Sequence, residues 1–232
     1  MNKTQQQPST WFGFERDEVA YLAPMASFLL IMAVGTTWKE LYPWAYIARA
    51  AIAGFLLIAF RRYYTRISWK YWWLGIIAGV LGIVQWIGMD SLLQWAVPSL
   101  FALDHKAAFN PFEYFATSSA AWSWTAIRIA SASLVVPFME ELFWRDYLWR
   151  RLDAPNDFKL STVGVKNWTA VVAVSAAFAF VHVQMPTAFV WGLMVAALLI
   201  YTRSLGACII MHGVTNLLLA GYVLWTKEWA WW

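Results

Sequence analysis

Three short segments of this chain hold the residue types that water-activating chemistry needs. Pro137-Phe-Met-Glu140-Glu141-Leu-Phe-Trp-Arg145 sets two adjacent carboxylates beside a long apolar run. Phe178-Ala-Phe-Val-His182 and His212-Gly-Val-Thr-Asn216 each set an imidazole four residues from a second side chain. Adjacent helical residues point about 100° apart, so Glu140 and Glu141 cannot do the same job. Glu141 and Arg145 are four apart with the acid first, the favourable order for a helical ion pair, which leaves Glu140 free to face a cavity. The same spacing puts Phe178 and His182 on one helix face, and His212 and Asn216 on another. Each segment alone has a plainer reading: a charged helix end at the water boundary, a hydrogen-bonded core histidine, or polar glue between membrane helices. Together they are stronger. The chain has three histidines, and two lie in apolar runs downstream of the paired glutamates. An acid, two imidazoles and an amide are the parts of a hydrolase that activates water.

The elements that must position these groups follow from composition. Of 232 residues, 61% are apolar or aromatic and 13% are charged. A soluble domain carries about a quarter charged residues, so lipid must solvate much of this surface. Eighteen Trp and ten Tyr suit the headgroup level of a bilayer. Apolar runs at roughly 19–37, 44–60, 71–93, 120–144, 168–184, 187–201 and 205–225 are each near the roughly 20 residues a spanning helix needs. Lipid cannot satisfy a bare backbone, so the fold class is all-α: a polytopic transmembrane bundle of about seven helices, read as a single integral membrane domain over 1–232.

Orientation follows from the basic residues. Arg61, Arg62, Arg66 and Lys70 follow the second run; Arg145, Arg150, Arg151, Lys159 and Lys166 follow the fourth; Arg203 follows the sixth. This asymmetry predicts a cytoplasmic N-terminus and a multi-pass protein of the cell (inner) membrane. The N-terminal segment lacks the basic region and cleavage site of a signal peptide, so the first run is expected to stay as an anchor. The polar stretch Val97–Tyr114, with Asp104, His105 and Glu113, reads as an outer loop. If Arg128 snorkels to the outer interface and Arg150 and Arg151 anchor the inner one, the fourth helix spans roughly 129–149 and Glu140 sits about 15 Å deep. The net charge of +4 is spread between apolar runs, a topology signal and not a nucleic-acid face. The lone Cys208 excludes an intrachain disulfide and a CxxC metal site.

The ordered trio Glu140-Glu141-xxx-Arg145, Phe178-xxx-His182 and His212-xxx-Asn216 resembles the CAAX prenyl endopeptidase and bacteriocin-processing family of intramembrane proteases, over roughly 134–220. The resemblance extends to a branch linked to bacterial exosortase sorting systems, and no single residue decides between them. Asp146 departs from the glycine that many members carry after the arginine. The resemblance implies an intramembrane endopeptidase. In it Glu140 is the general base, His182 assists and shuttles the proton, and His212 and Asn216 stabilise the oxyanion. Glu141, Arg145 and Phe178 are supporting residues. A divalent metal such as zinc, held by Glu140, His182 and His212, is the alternative. The chain has no HExxH and its ligands would come from three helices, which favours a metal-free glutamate mechanism.

Three rivals stand beside this reading. A non-catalytic scaffold, such as an immunity or assembly factor, would keep the fold. A transporter would use the intramembrane Arg49, Asp90 and Arg128. A thiol mechanism would pair Cys208 with His212, four residues apart. The expected partners are a membrane-associated protein or peptide substrate and the lipid bilayer, with no nucleic acid.

Overall fold

The computed structural model describes residues 10–11, 14–101 and 108–232. It is a helical bundle; its extended structure among the described residues is one two-residue antiparallel pairing, Thr10–Trp11 with Phe14–Glu15. Contacts divide the chain into two compact units, Met1–Arg66 and Ile67–Trp232. Asp104 and His105, from the expected outer loop, lie outside the described residues.

The first unit is a hairpin of α1 (Arg16–Thr37) and α2 (Tyr42–Ala59), joined by a tight helical turn over Lys39–Leu41. The chain leaving α2 folds back onto the start of α1: Tyr64 Oη donates to the Ala20 carbonyl at 3.0 Å, and the Thr65 amide donates to Tyr21 Oη at 2.8 Å. Arg49, inside α2, lies over the rings of Phe28 (4.6 Å) and Tyr46 (4.1 Å), which gives its charge an aromatic partner within the apolar unit.

The second unit contains α3 (Trp72–Ala96), two single turns α4 (Pro98–Phe101) and α5 (Pro111–Tyr114), and a long distorted helix. That helix runs unbroken from 118 to 153 as α6 (Ser118–Ala130), a π segment (Ser131–Val135), α7 (Val136–Glu141), a second π segment (Leu142–Leu148) and α8 (Trp149–Asp153). Then come α9 (Trp168–Phe180), α10 (Met185–Thr202) and α11 (Leu205–Thr226). Among the described residues five stretches are long and apolar enough to cross a membrane: Arg16–Thr37, Lys39–Ala59, Trp72–Ala96, Met185–Thr202 and Leu205–Thr226; Trp168–Phe180 is a shorter apolar helix.

Two expectations change. The fourth helix is longer than 129–149 at both ends: at 1.5 Å per residue it measures roughly 54 Å, well beyond a hydrocarbon core of about 30 Å. Its arginines do not snorkel as expected. Arg128 is 7% exposed, with its guanidinium over Trp232 (4.6 Å) and Trp124 (5.5 Å). Arg150 is 4% exposed and pairs with the fully buried Asp146. It also donates to the Ser161 carbonyl at 2.9 Å, stapling the 154–167 loop to the helix. Asp146, the departure noted in the sequence, is therefore the counter-charge for that staple.

Pro137 explains the first π segment. The Val136 amide reaches back five residues to the Ser131 carbonyl. Pro137 has no N–H to continue the ladder, and its ring would crowd the carbonyl four residues back, so the helix widens there.

The α3–α11 contact is built on Gly75, Gly79 and Gly82. A Cβ on Gly75 would lie 2.4 Å from the Ala207 carbonyl oxygen, and one on Gly79 would lie 2.7 Å from Val214 Cβ. Small residues four apart let membrane helices approach closely, which replaces the hydrophobic drive that lipid removes. Gly75→Ala should therefore lower the thermal midpoint in detergent, at a cost of about 1–3 kcal/mol for overpacking. Gly88→Ala, on the same helix with nothing within 4 Å, should leave it unchanged or slightly raised. Equal midpoints for the two variants would refute the close α3–α11 contact.

Candidate functional site

The site assembles from α7 and its following π segment, the turn after α9, and the middle of α11, with α3 and α10 closing it. Glu141 is the hub. It is fully buried, its Oε2 lies 3.3 Å from Arg145 Nε, and its Oε1 accepts from His212 Nδ1 at 2.8 Å. The ion pair expected from spacing is thus formed, and the same carboxylate also ties the long helix to α11. Arg145 lies over the rings of Phe178 (4.7 Å) and Trp191 (5.9 Å). Its Nη1 and Nη2 are buried with no hydrogen-bond partner, so aromatic faces supply their electrostatic contact.

Glu140 points elsewhere, as the 100° offset requires. It is 7% exposed, and its Oε2 is buried with no hydrogen-bond partner. It is close enough to His182 for its charge to act on that ring, together with those of His212 and Arg145. An unpaired buried carboxylate oxygen is costly unless a water or ligand meets it.

His182 corrects the sequence reading. It does not share a helix face with Phe178, because α9 ends at Phe180 and His182 lies in the turn that follows. The residues meet all the same. The His182 amide donates to the Ala179 carbonyl at 3.0 Å, its Nδ1 donates to the Phe178 carbonyl at 2.7 Å, and the two rings lie 4.3 Å apart. A carbonyl only accepts, so Nδ1 carries a proton, and in the neutral form of the ring Nε2 is the acceptor. Both site histidines therefore have Nδ1 committed and Nε2 available.

Asn216 sits one turn after His212. Its Nδ2 donates to the Ala132 carbonyl at 2.8 Å. In the widened helix that carbonyl faces Pro137, which has no N–H to give, and Asn216 fills the gap. One N–H of the amide remains. Gly213 permits the approach: a Cβ there would lie 2.6 Å from the Ser133 carbonyl oxygen.

Aromatic rings wall the site. Phe178 stacks on Trp191 at 5.2 Å, Trp191 meets His212 edge-on at 4.8 Å, and Trp86 meets His182 edge-on at 5.9 Å. Trp86 and Trp191 were not singled out in the sequence; among the chain's eighteen Trp, neither carries a motif. Cys208 is fully buried, with its thiol against the Val195 carbonyl at 3.9 Å, as a small core residue would be.

The metal alternative would use Glu140, His182 and His212. Among the described residues no group of three His, Cys, Asp or Glu side chains is placed to hold a metal ion, and no step below is routed through one.

Removing one partner of a buried charge network strands the other. Arg145→Met should cost about 3–5 kcal/mol by leaving Glu141 uncompensated, whereas Arg62→Met at an exposed position should stay within about 0.5 kcal/mol. Chemical unfolding in detergent measures both, and similar midpoints would mean that the Glu141 charge is balanced elsewhere.

Residues 120–218 match the family model described as type II CAAX prenyl endopeptidase Rce1-like. Neither the curated proteins nor the solved structures give a match. The matched stretch runs from α6 to α11 and holds every residue of the Glu140, His182 and His212 segments. The chain is a multi-pass helical membrane protein whose residues 120–218 are similar to the Rce1-like type II CAAX prenyl endopeptidases.

Proposed function

We propose that this protein is an intramembrane endopeptidase that cleaves a membrane-associated protein or peptide with water activated by Glu140. The observation that carries the reading is the buried Glu140 Oε2, which has no hydrogen-bond partner, with the His182 ring in range of the Glu140 charge and its Nε2 left free by the Nδ1 bond to Phe178. In a chain similar to a family of proteases, that pair is suited to hold and deprotonate a water.

The steps use only these side chains. Glu140 takes a proton from water as the oxygen attacks the scissile carbonyl carbon. The oxyanion that forms is met by His212 Nε2 and the remaining amide N–H of Asn216. His212 donates there only when it carries protons on both nitrogens, since Nδ1 already serves Glu141. The C–N bond breaks as the proton held by Glu140 passes, with His182 as relay, to the leaving amine. Glu141, Arg145 and Phe178 hold the geometry.

Glu140→Ala, His182→Ala and His212→Ala should each lower cleavage of an internally quenched prenylated CAAX peptide by at least ~10²-fold, with normal membrane expression. Wild-type activity should survive exhaustive chelation. Near-normal turnover of Glu140→Ala removes that residue from the base role. Activity lost on chelation and restored by zinc would replace the metal-free mechanism but keep a peptidase. A wild-type protein that cleaves neither this peptide nor any partner trapped by Glu140→Ala would favour the scaffold.

The basic residues of the 61–70 and 151–166 segments support a cytoplasmic N-terminus and a cytoplasmic side for both segments in an inner-membrane protein. Single cysteines introduced in either loop, in a Cys208→Ser background, should resist impermeant thiol reagents applied to intact cells. Rapid labelling of both would invert the topology.

A further inference from the structure

Asp90 lies on α3, outside the matched family segment, and is 2% exposed. Its Oδ2 accepts from Gln94 Nε2 at 2.7 Å and its Oδ1 accepts from Thr187 Oγ1 at 3.3 Å. Both oxygens accept, as an ionised carboxylate does. A charged group inside an apolar membrane helix is expensive and marks a functional position by default. Here the hydrogen bonds lead towards the site. Thr187 stands in the first turn of α10, and its backbone carbonyl accepts a second α3 hydrogen bond, from Gln85 Nε2 at 3.2 Å. Two side chains of α3 therefore grip one residue at the start of α10, where a carboxylate also suits the positive end of the helix.

Only Val181–Gln184 separate the end of α9 from the start of α10, and His182 is one of those four residues. The turn is tied to α9 by the His182 bonds to Ala179 and Phe178. Its other end moves with the first turn of α10. The His182 ring lies against Phe178 on one helix and Trp86, four residues before Asp90, on another. A displaced α10 start would carry the ring out of line with Glu140.

We propose that Asp90 is a positioning residue for His182: through Thr187 it anchors the first turn of α10, and with it the turn that aims the imidazole at Glu140. The inference rests on the assignment of His182 to the reaction, so its test includes a readout that needs no activity. The chain has three histidines, so histidine-selective isotope labelling in nanodiscs gives three imidazole signals, assigned by His→Gln variants.

Thr187→Val, which removes only the hydroxyl, and Asp90→Ala should both shift the His182 signal. His212, held by Glu141, should keep its own. Both variants should lower kcat for the quenched prenylated peptide on the order of 10-fold, with KM within about twofold, since small displacements of a catalytic group act on the chemical step. Asp90→Asn, which still accepts from Thr187, should recover most of the rate. The Asp90→Ala/Thr187→Val double variant should be no worse than Asp90→Ala alone, because both break one link. If Asp90→Ala fails to fold, Thr187→Val decides. A His182 signal unmoved in Thr187→Val, or His182 and His212 signals displaced together, overturns the proposal. A His182-specific shift in a protein that cleaves nothing upholds the link between Asp90 and His182 while the peptidase reading fails.

Discussion

The arrangement of this bundle depends on one buried charge. Glu141 is fully enclosed in a protein that lipid surrounds, where an uncompensated carboxylate would cost several kcal/mol. It is met on one side by Arg145 from the same helix and on the other by His212 from α11. Arg145 then needs company of its own, and Phe178 of α9 and Trp191 of α10 provide their ring faces. Satisfying one carboxylate thus fixes the long helix, α9, α10 and α11 around a common point. The orientation of Glu140 follows, because its neighbour's direction is already spent.

The long helix meets this demand by giving up regularity. Two π segments flank Val136–Glu141, one on each side. Widened turns change which side chains share a face and leave carbonyls without their usual partners, which is why they gather at functional sites. The first such gap, at Ala132, is filled by Asn216, and the backbone approach is made possible by Gly213. The local cost of Pro137 is therefore balanced by the helix that also carries His212. A single change at Pro137, Gly213 or Asn216 would disturb both the bundle contact and the site.

Much of this was legible in the sequence, and the misses have physical reasons. The helices emerged from hydropathy because lipid enforces long apolar runs; six of the seven fall close to the expected bounds. The fourth is longer because Asp146–Arg150 pairs in the interior, so a stretch that reads as a charged boundary is helix core. The Glu141–Arg145 pair was readable from spacing alone. The His182 turn was not: the four-residue interval from Phe178 looks the same whether the chain continues as helix or ends and curls back. The π segments leave no mark in a pattern read at 3.6 residues per turn. Trp86 and the links from Asp90 to Thr187 join residues about a hundred positions apart, and no local spacing reports such a contact.

The charges inside the second unit also separate by how they are satisfied. Arg128 rests on two indoles, Asp146 and Arg150 on each other, Glu141 on a cation and an imidazole, and Asp90 on an amide and a hydroxyl. Each arrangement uses neighbours already in place and leaves little for a substrate to meet. Glu140 differs: among the described residues its buried Oε2 has no partner. In the proposed mechanism that oxygen is the one that takes the proton of the attacking water, so the charge left without a protein partner is the one the chemistry would use.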